Sequence, residues 1–345
     1  MLTDRLDYVV GVDSHADQHA FAVVAATGML SGEARLAADE QGYRQALALA
    51  EQQAPGRRLW AVEGSGSYAA GLTRFLQAHG ERVLEVERPK RTGSRGRIKS
   101  DPLDALRAAR LVLAGERLAE PRSGGQRESL RALVSTREGT VAARRAALCQ
   151  LRALIVLLDD SRRSQLRPLG KKALLRRCAA LRPDRSRPDH GQLLALRTCA
   201  RRVLALDQEA AELEQAIRSL LERVAPSLLA IHGVGPISGA QLLISWSHRG
   251  RIRSEAAFAR LAGTAPIPAS SGKTCRYRLD RGGDRKLNRA LHTILLCRRR
   301  TDPATIAYLD RRRTEGKTER ETNRCLKRYL ARSLYRHLET MPPAT

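Results

Sequence analysis

The sequence predicts an α/β domain followed by a mostly helical remainder, and three observations carry that expectation. Up to about Ala114, short apolar runs alternate with amphipathic stretches. From Gln126 to Val224 Leu, Ala, Arg and Glu dominate, and apolar residues recur at helical spacings. Pro168, Pro183 and Pro188 then mark a broken connector between two long helical segments.

The first elements follow from the apolar runs. Tyr8 to Val12 ends in Asp13, and Ala20 to Ala26 follows the polar segment Ser14 to His19, which reads as two strands joined by a turn. Gln41 to Gln52 has helical spacing. Arg58 to Val62 is a third strand, closing on Glu63 and then Gly64-Ser65-Gly66. Tyr68 to Ala78 reads as helix, Arg82 to Val86 as strand, and a further helix starts near Asp101 and runs to about Ala114.

Three acidic elements line up in this part. Asp13 and Glu63 each close a strand, and Asp101 and Asp104 open a helix, three residues apart and so on one face. Ligand sites of α/β sheets gather at the carboxyl ends of strands. An acid held there is costly unless water, a donor or a cation meets it. Hard oxygen ligands suit Mg²⁺, so Asp13, Glu63, Asp101 and Asp104 are candidate ligands of a shared ion. The plain alternative makes Asp101 an N-cap, Pro102 the first helical residue and Asp104 a dipole partner. His15 and His19 lie in the turn and read as solvated. The run Lys90 to Lys99, with Arg95, Arg97 and Lys99, sets a basic segment beside the acids.

The middle of the chain reads as a helical hairpin or coiled-coil arm. Leu130, Leu133, Val141 and Leu148 to Leu158 mark one long helix, and Leu193 to Leu221 marks another, separated by Ser161 to His190. An oligomerisation arm and an ordinary spacer both fit.

In the last third, Gly233-Val234-Gly235-Pro236 forms a Gly-x-Gly turn between apolar helices. Such a turn either holds a nucleic-acid phosphate on backbone N–H groups or simply packs two helices. Ser254 caps Glu255 to Ala262, Pro266 to Arg281 is a loop or hairpin, and Asp284 to Arg300 and Thr318 to Glu339 are basic amphipathic helices. Within the loop, Ser270-Ser271-Gly272-Lys273 is surrounded by Arg276, Arg278, Arg281, Arg285 and Lys286. A serine ringed by cations can attack a phosphodiester, and the same residues make a commonplace turn.

Charge selects the partner class. Lys and Arg number 62 against 36 Asp and Glu, a formal net charge of +26. That excess favours a polyanion, nucleic acid first and a membrane surface second. Aromatic residues make up 3% of the chain, which excludes stacking platforms as the main grip. The six cysteines form no C-x-x-C pair, so a zinc ribbon and a disulfide framework are not supported, and reduced thiols in a cytoplasm fit. No apolar run reaches transmembrane length, so no membrane-spanning segment is expected.

These blocks, in order and spacing, resemble the DEDD transposases of insertion sequences without terminal inverted repeats, also described as bridge-RNA-guided recombinases. The resemblance rests on Val10-Gly11-Val12-Asp13, Val62-Glu63, and Lys99-Ser100-Asp101 with Asp104-Ala105. It continues through Ile231 with Gly233-Val234-Gly235-Pro236, Ala262-Gly263-Thr264-Ala265-Pro266, Ser271-Gly272-Lys273, Gly282-Gly283-Asp284, and Leu287 to Leu291. It implies a RuvC-like RNase H-fold catalytic domain over 1–122, a helical coiled-coil arm over 123–226, and a serine-carrying C-terminal transposase domain over 227–345. It also implies Mg²⁺, or Mn²⁺ in its place, on Asp13, Glu63, Asp101 and Asp104, and a nucleophilic serine aligned with Ser271, although Ser270 precedes it. The serine would form a covalent phosphoserine link to DNA, with acids and serine supplied by different subunits. The implied partners are donor and target DNA, an element-encoded non-coding RNA, and further copies of the chain, as a dimer or a synaptic tetramer. The expected place of action is the bacterial nucleoid. A metal-dependent nuclease or Holliday-junction resolvase acting on water, and a non-catalytic nucleic-acid-binding protein, are the rival readings.

Overall fold

Alternation along the first strand decides the architecture of the N-terminal part. In the computed structural model, Val9 packs toward one side of a sheet and Val10 and Val12 toward the other. The structure describes residues 6–86, 101–115, 118–122, 124–269, 277–280 and 282–341, and for Asp101, Pro102 and Leu279 the backbone alone. The chain divides into two units, Met1–Gly124 and Gly125–Thr345.

The first unit runs β1 (Tyr8–Ser14), β2 (Gln18–Ala25), β3 (Leu30–Ala37), α1 (Glu40–Gln53), β4 (Arg58–Glu63), α2 (Ala70–Ala78), β5 (Val83–Val86), α3 (Asp101–Leu113) and β6 (Leu118–Ala119). The described strands form one sheet in the order β3-β2-β1-β4-β5-β6. β1 pairs antiparallel with β2 and parallel with β4, and β4 pairs parallel with β5. Val9, Ala20, Ala22, Val24, Leu59 and Ala61 pack on one side with α3 residues Ala105, Ala108, Ala109 and Val112. Val10, Val12, Phe21, Val23, Trp60 and Val62 pack on the other with residues of α1 and α2. Three of these strands differ from expectation, the two-residue β6 being too short to give a pattern. β3 is a solvent-facing edge strand whose burial alternates, and its Gly32, Glu33 and Arg35 give no apolar run to read. His19, read as a solvated turn residue, lies within β2, is buried, and stacks on Tyr43 with ring centroids 6.0 Å apart.

The second unit is helical. α4 (Gln126–Val156) packs along α7 (His190–Val224), with α5 (Asp160–Leu166) and α6 (Lys171–Ala179) between them in sequence. The connector expected to break the helices thus contains two short helices of its own. Leu151, Leu175, Leu196, Ala200 and Val203 form the core at one end of this pair. At the other end Leu130, Val134, Ile217 and Leu221 share a core with the last third of the chain. There follow α8 (Pro226–Leu229), α9 (Pro236–Trp246), α10 (Glu255–Leu261), the antiparallel hairpin of β7 (Pro266–Pro268) and β8 (Tyr277–Leu279), α11 (Arg285–Thr301), α12 (Pro303–Thr314) and α13 (Glu319–Thr340). α9 is buried along nearly its whole length, polar Ser238, Gln241 and Ser245 included, so it is the centre of this unit. α12 escapes the sequence pattern because Arg311, Arg312 and Arg313 blur its periodicity. Among the described residues no helix is long and apolar enough to cross a membrane.

Candidate active site

The register of β1 against β4 brings two acids to neighbouring strand ends. The last paired residues are Val12 and Val62, so Asp13 and Glu63 each stand one residue further along parallel, adjacent strands. Side chains alternate along a strand, and Val12 and Val62 face α1 and α2. Asp13 and Glu63 therefore belong to the opposite face, which α3 covers. The strand ends are tied: Ser14 Oγ donates to the Glu63 carbonyl oxygen at 2.9 Å.

Asp13 is buried, with 2% of its surface exposed, and its Oδ2 lies 3.1 Å from His15 Nε2. A carboxylate this deep needs a donor or a cation. Its place in a turn marks His15 as solvated, yet its half-exposed ring supplies that contact. Glu63 is half-buried at the start of the Gly64 to Ser67 turn, where Ser67 N–H donates to the Gly64 carbonyl at 2.8 Å.

The third acidic element reaches this face through α3. Ala105, Ala108, Ala109 and Val112 form the stripe packed on the sheet, and the backbone of Asp101 precedes Ala105 by one turn. Asp104 lies on the next residue of that turn, half-buried, and accepts a hydrogen bond from Arg107 Nη1 at 2.6 Å. The side chain of Asp101 lies outside the described residues. Among the described residues no three His, Cys, Asp or Glu side chains converge as a metal-binding group. Two carboxylates on one sheet face still fit a hard divalent cation, because Mg²⁺ is commonly held by one or two carboxylates plus substrate phosphate oxygens.

The C-terminal blocks also meet in space, within the helical unit. A Cβ on Gly283 would stand 2.3 Å from the backbone nitrogen of Gly263, so only glycine fits that crossing. Asn288 Nδ2 donates to the Ala262 carbonyl at 2.7 Å, and the Asp284 backbone N–H donates to the Leu261 carbonyl at 2.6 Å. Asp284 also caps α11, accepting from the backbone N–H of Lys286 at 2.8 Å and from Ser245 Oγ at 2.7 Å. These bonds anchor both arms of the β7–β8 hairpin. The serine candidates Ser270 and Ser271, with Lys273, Arg276 and Arg281, lie outside the described residues, as do Arg95, Arg97 and Lys99.

The remaining basic candidates divide. Arg278 and Arg285 are exposed. Lys286 Nζ is ion-paired with Glu138 of α4 at 2.6 Å, and Arg289 engages the same carboxylate. The turn at Gly233 lies against α11, where Arg298 Nε donates to the His232 carbonyl at 2.8 Å. Gly235 precedes α9, and its N–H donates to Ser238 Oγ at 3.0 Å. Arg127, which no sequence pattern marks, is buried and donates from Nε and Nη2 to the Ile244 carbonyl at 3.1 and 2.9 Å. Nothing in a helix so rich in arginine distinguishes it from its neighbours.

Comparison with known proteins matches both halves of this arrangement. A family model described as a transposase, of the DEDD type of IS110, covers residues 10–159. A second, described as a transposase of the IS116/IS110/IS902 family, covers residues 225–310. The uncharacterized 42 kDa protein of insertion element IS900 from Mycobacterium paratuberculosis is 30% identical over 358 residues, 89% of this chain and 89% of that protein. The uncharacterized 43.6 kDa protein of insertion element IS110 from Streptomyces coelicolor is 33% identical over 135 residues, 38% of this chain and 33% of that protein. A likeness that runs along nearly nine-tenths of both chains, joined to the two family matches, establishes that the chain belongs to the IS110 family of DEDD transposases and is a DNA transposase of an insertion sequence.

Proposed function

We propose that the chain is a site-specific DNA recombinase that cuts and rejoins strands through a covalent phosphoserine at Ser271. The N-terminal sheet and α3 are read as an RNase H-like, RuvC-like domain. Asp13, Glu63, Asp101 and Asp104 would hold Mg²⁺, and an element-encoded RNA would choose the sites by base pairing with donor and target DNA. The α4–α7 pair is read as an oligomerisation arm, giving dimers and a synaptic tetramer. One observation carries the catalytic part: Asp13 and Glu63 stand at adjacent parallel strand ends on the sheet face that α3 covers.

The chemistry is balanced. The serine oxygen forms a bond to phosphorus as the bond between phosphorus and the 3′ oxygen breaks. The serine proton leaves and the 3′ oxygen takes one up. A divalent cation, when bound, supplies positive charge that stabilises the phosphoryl and leaving oxygens. The phosphoserine ester retains the free energy of the broken phosphodiester, so rejoining requires no nucleotide hydrolysis. Leaving sequence choice to base pairing asks the protein only for a sequence-independent grip, which suits a chain of net charge +26.

The test is reconstitution of the full-length protein with element-derived RNA and two DNA duplexes, with and without Mg²⁺. A protein–DNA adduct resistant to denaturation is expected from the wild type and not from Ser271→Ala or Asp13→Asn. Strand cleavage that persists in Ser271→Ala and Ser270→Ala with no adduct would make the enzyme a metal-dependent nuclease acting on water.

A further inference from the structure

The helical unit contains a cavity of about 880 Å³, lined by the loop Gly263 to Pro266, β8, α11, α12 and α13. Its walls present Arg278, Lys317, Arg324, Lys327, Arg328 and Arg332, with Glu321 as the acid among its described lining. Glu321 is already engaged, accepting from Thr318 N–H at 2.9 Å and Thr318 Oγ1 at 2.8 Å. Arg332 is ion-paired at 2.8 Å with Glu255, a carboxylate that Arg336 shares.

Lys327 is placed differently. It is half-buried, and its Nζ donates to the amide oxygen of Asn288 at 2.8 Å, a neutral acceptor. Among the described residues no carboxylate forms an ion pair with it. Burial holds its ammonium below the ordinary lysine pKa, and His292 is held low by burial and then by the charges of Lys327 and Arg299. Arg328 is likewise lowered by burial and by Arg332. Partly desolvated cations crowded together destabilise one another unless an anion joins them.

The rim supplies a second element. Tyr277 and Tyr329 line the cavity and are 58% and 50% exposed, in a chain with 3% aromatic residues. Tyr308 braces Tyr329 edge-on at 5.6 Å. Cations that follow a backbone beside exposed aromatic rings are the recognition chemistry of single-stranded nucleic acid. The cavity takes in both β7 and β8, the two strands flanking residues 270–276.

We propose that this cavity grips a phosphodiester of the DNA strand being cut, close to the scissile bond, with Lys327 as its positioning cation, Asn288 orienting that ammonium, and Tyr329 stacking on the adjoining base. The choice of the cut DNA strand rests on the reading of residues 270–276 as the serine loop.

The test measures binding of fluorescein-labelled single-stranded DNA to the full-length protein by anisotropy across a salt series. Lys327→Met is expected to reduce the slope of log affinity against log salt by about 0.7, one single-strand phosphate contact. Arg324→Gln, at an exposed position, is expected to act in the same direction. Tyr329→Ala is expected to weaken binding about five-fold or more with the slope unchanged. Arg218→Gln, an exposed arginine on α7, provides the control for charge alone. Circular dichroism melting verifies that each variant folds. Cavity variants that bind like the control overturn the proposal. So does a loss seen with single-stranded RNA and not DNA, and so does a site that inorganic phosphate fills without DNA competing. Ser271→Ala separates the two readings, since it is expected to lose the covalent adduct and keep this binding. An adduct retained in both Ser271→Ala and Ser270→Ala, beside weakened binding in Lys327→Met, would end the serine reading and with it the placement at the cut strand, while single-strand binding by the cavity would stand.

Discussion

A Cβ placed on Gly11 would stand 2.0 Å from the carbonyl oxygen of Ala105. The start of α3 therefore rides directly on β1, two residues before Asp13. No side chain fits between strand and helix there, and the closeness seats the first turns of α3 on the sheet face to which Asp13 and Glu63 belong. Gly11→Ala is expected to push α3 off the sheet, at a cost of about 1–3 kcal/mol or more. Thermal melting should fall by several degrees, and transposition activity should fall further than the lost stability accounts for. An unchanged melting temperature would show that the helix does not rest on Gly11.

If Asp13 holds Mg²⁺, as proposed, its contact with His15 would bear on metal affinity. Partners that hydrogen-bond a ligating carboxylate orient it, and their loss typically costs about 10–100-fold in affinity. His15→Ala is expected to weaken Mn²⁺ binding by that factor, read by calorimetry, while the half-exposed position keeps the fold intact. Asp13→Asn should abolish the binding. Equal Mn²⁺ affinity in His15→Ala and wild type would reduce the His15 contact to packing.

Glu81 gives the N-terminal unit an acid-sensitive tie. Its carboxylate accepts from Arg58 Nη2 at 2.5 Å and from Trp60 Nε1 at 2.8 Å, with 11% of the side chain exposed. Burial pushes its pKa up, but the bonds from Arg58 and Trp60 outweigh that and leave it below the ordinary glutamate value. A carboxyl lowered in the folded state stabilises the fold fully above its unfolded pKa, about 4.3, and loses that stabilisation as pH falls toward the folded value. Glu81→Ala is expected to cost about 3–5 kcal/mol near neutrality, because the Arg58 charge and the Trp60 indole lose their partner. Glu81→Gln should flatten the decline in melting temperature below about pH 4.3. A wild-type curve already flat there would contradict the lowered pKa.

What the sequence made legible follows from burial. β1 and β4 are covered on both faces, so they read as continuous apolar runs, and the acids that end them stand out. β3 is an edge strand with polar residues on its open side, and its pattern merges with a turn. His19 was misread because the strand containing it starts at Gln18, two residues before the apolar run begins, so a ring buried against Tyr43 looked like part of the turn. Asp104 and Arg107 are spaced for an ion pair on one helix face, so the same acid fits an ion pair and a metal ligand equally well in the sequence. The crossing of Gly263 and Gly283 joins residues twenty positions apart and follows from no local pattern. The same is true of Arg127, whose partner lies 117 positions away.

That distant pairing has a measurable consequence. Ile244 is in the last turn of α9, where helix carbonyls lack partners along the chain. Arg127, 6% exposed, donates two hydrogen bonds to its carbonyl and brings positive charge to the negative end of the helix. Arg127→Met keeps most of the side-chain volume but strands that carbonyl, with an expected cost of about 1–3 kcal/mol. Arg127→Lys should rescue little, because a single ammonium cannot reproduce the planar two-donor approach. Urea unfolding is expected to show a lower midpoint for both variants with an unchanged slope, and hydrogen exchange should rise first at the carboxyl end of α9. Full rescue by lysine would show that charge alone, and not the paired geometry, holds the root of α4 to the centre of the helical unit.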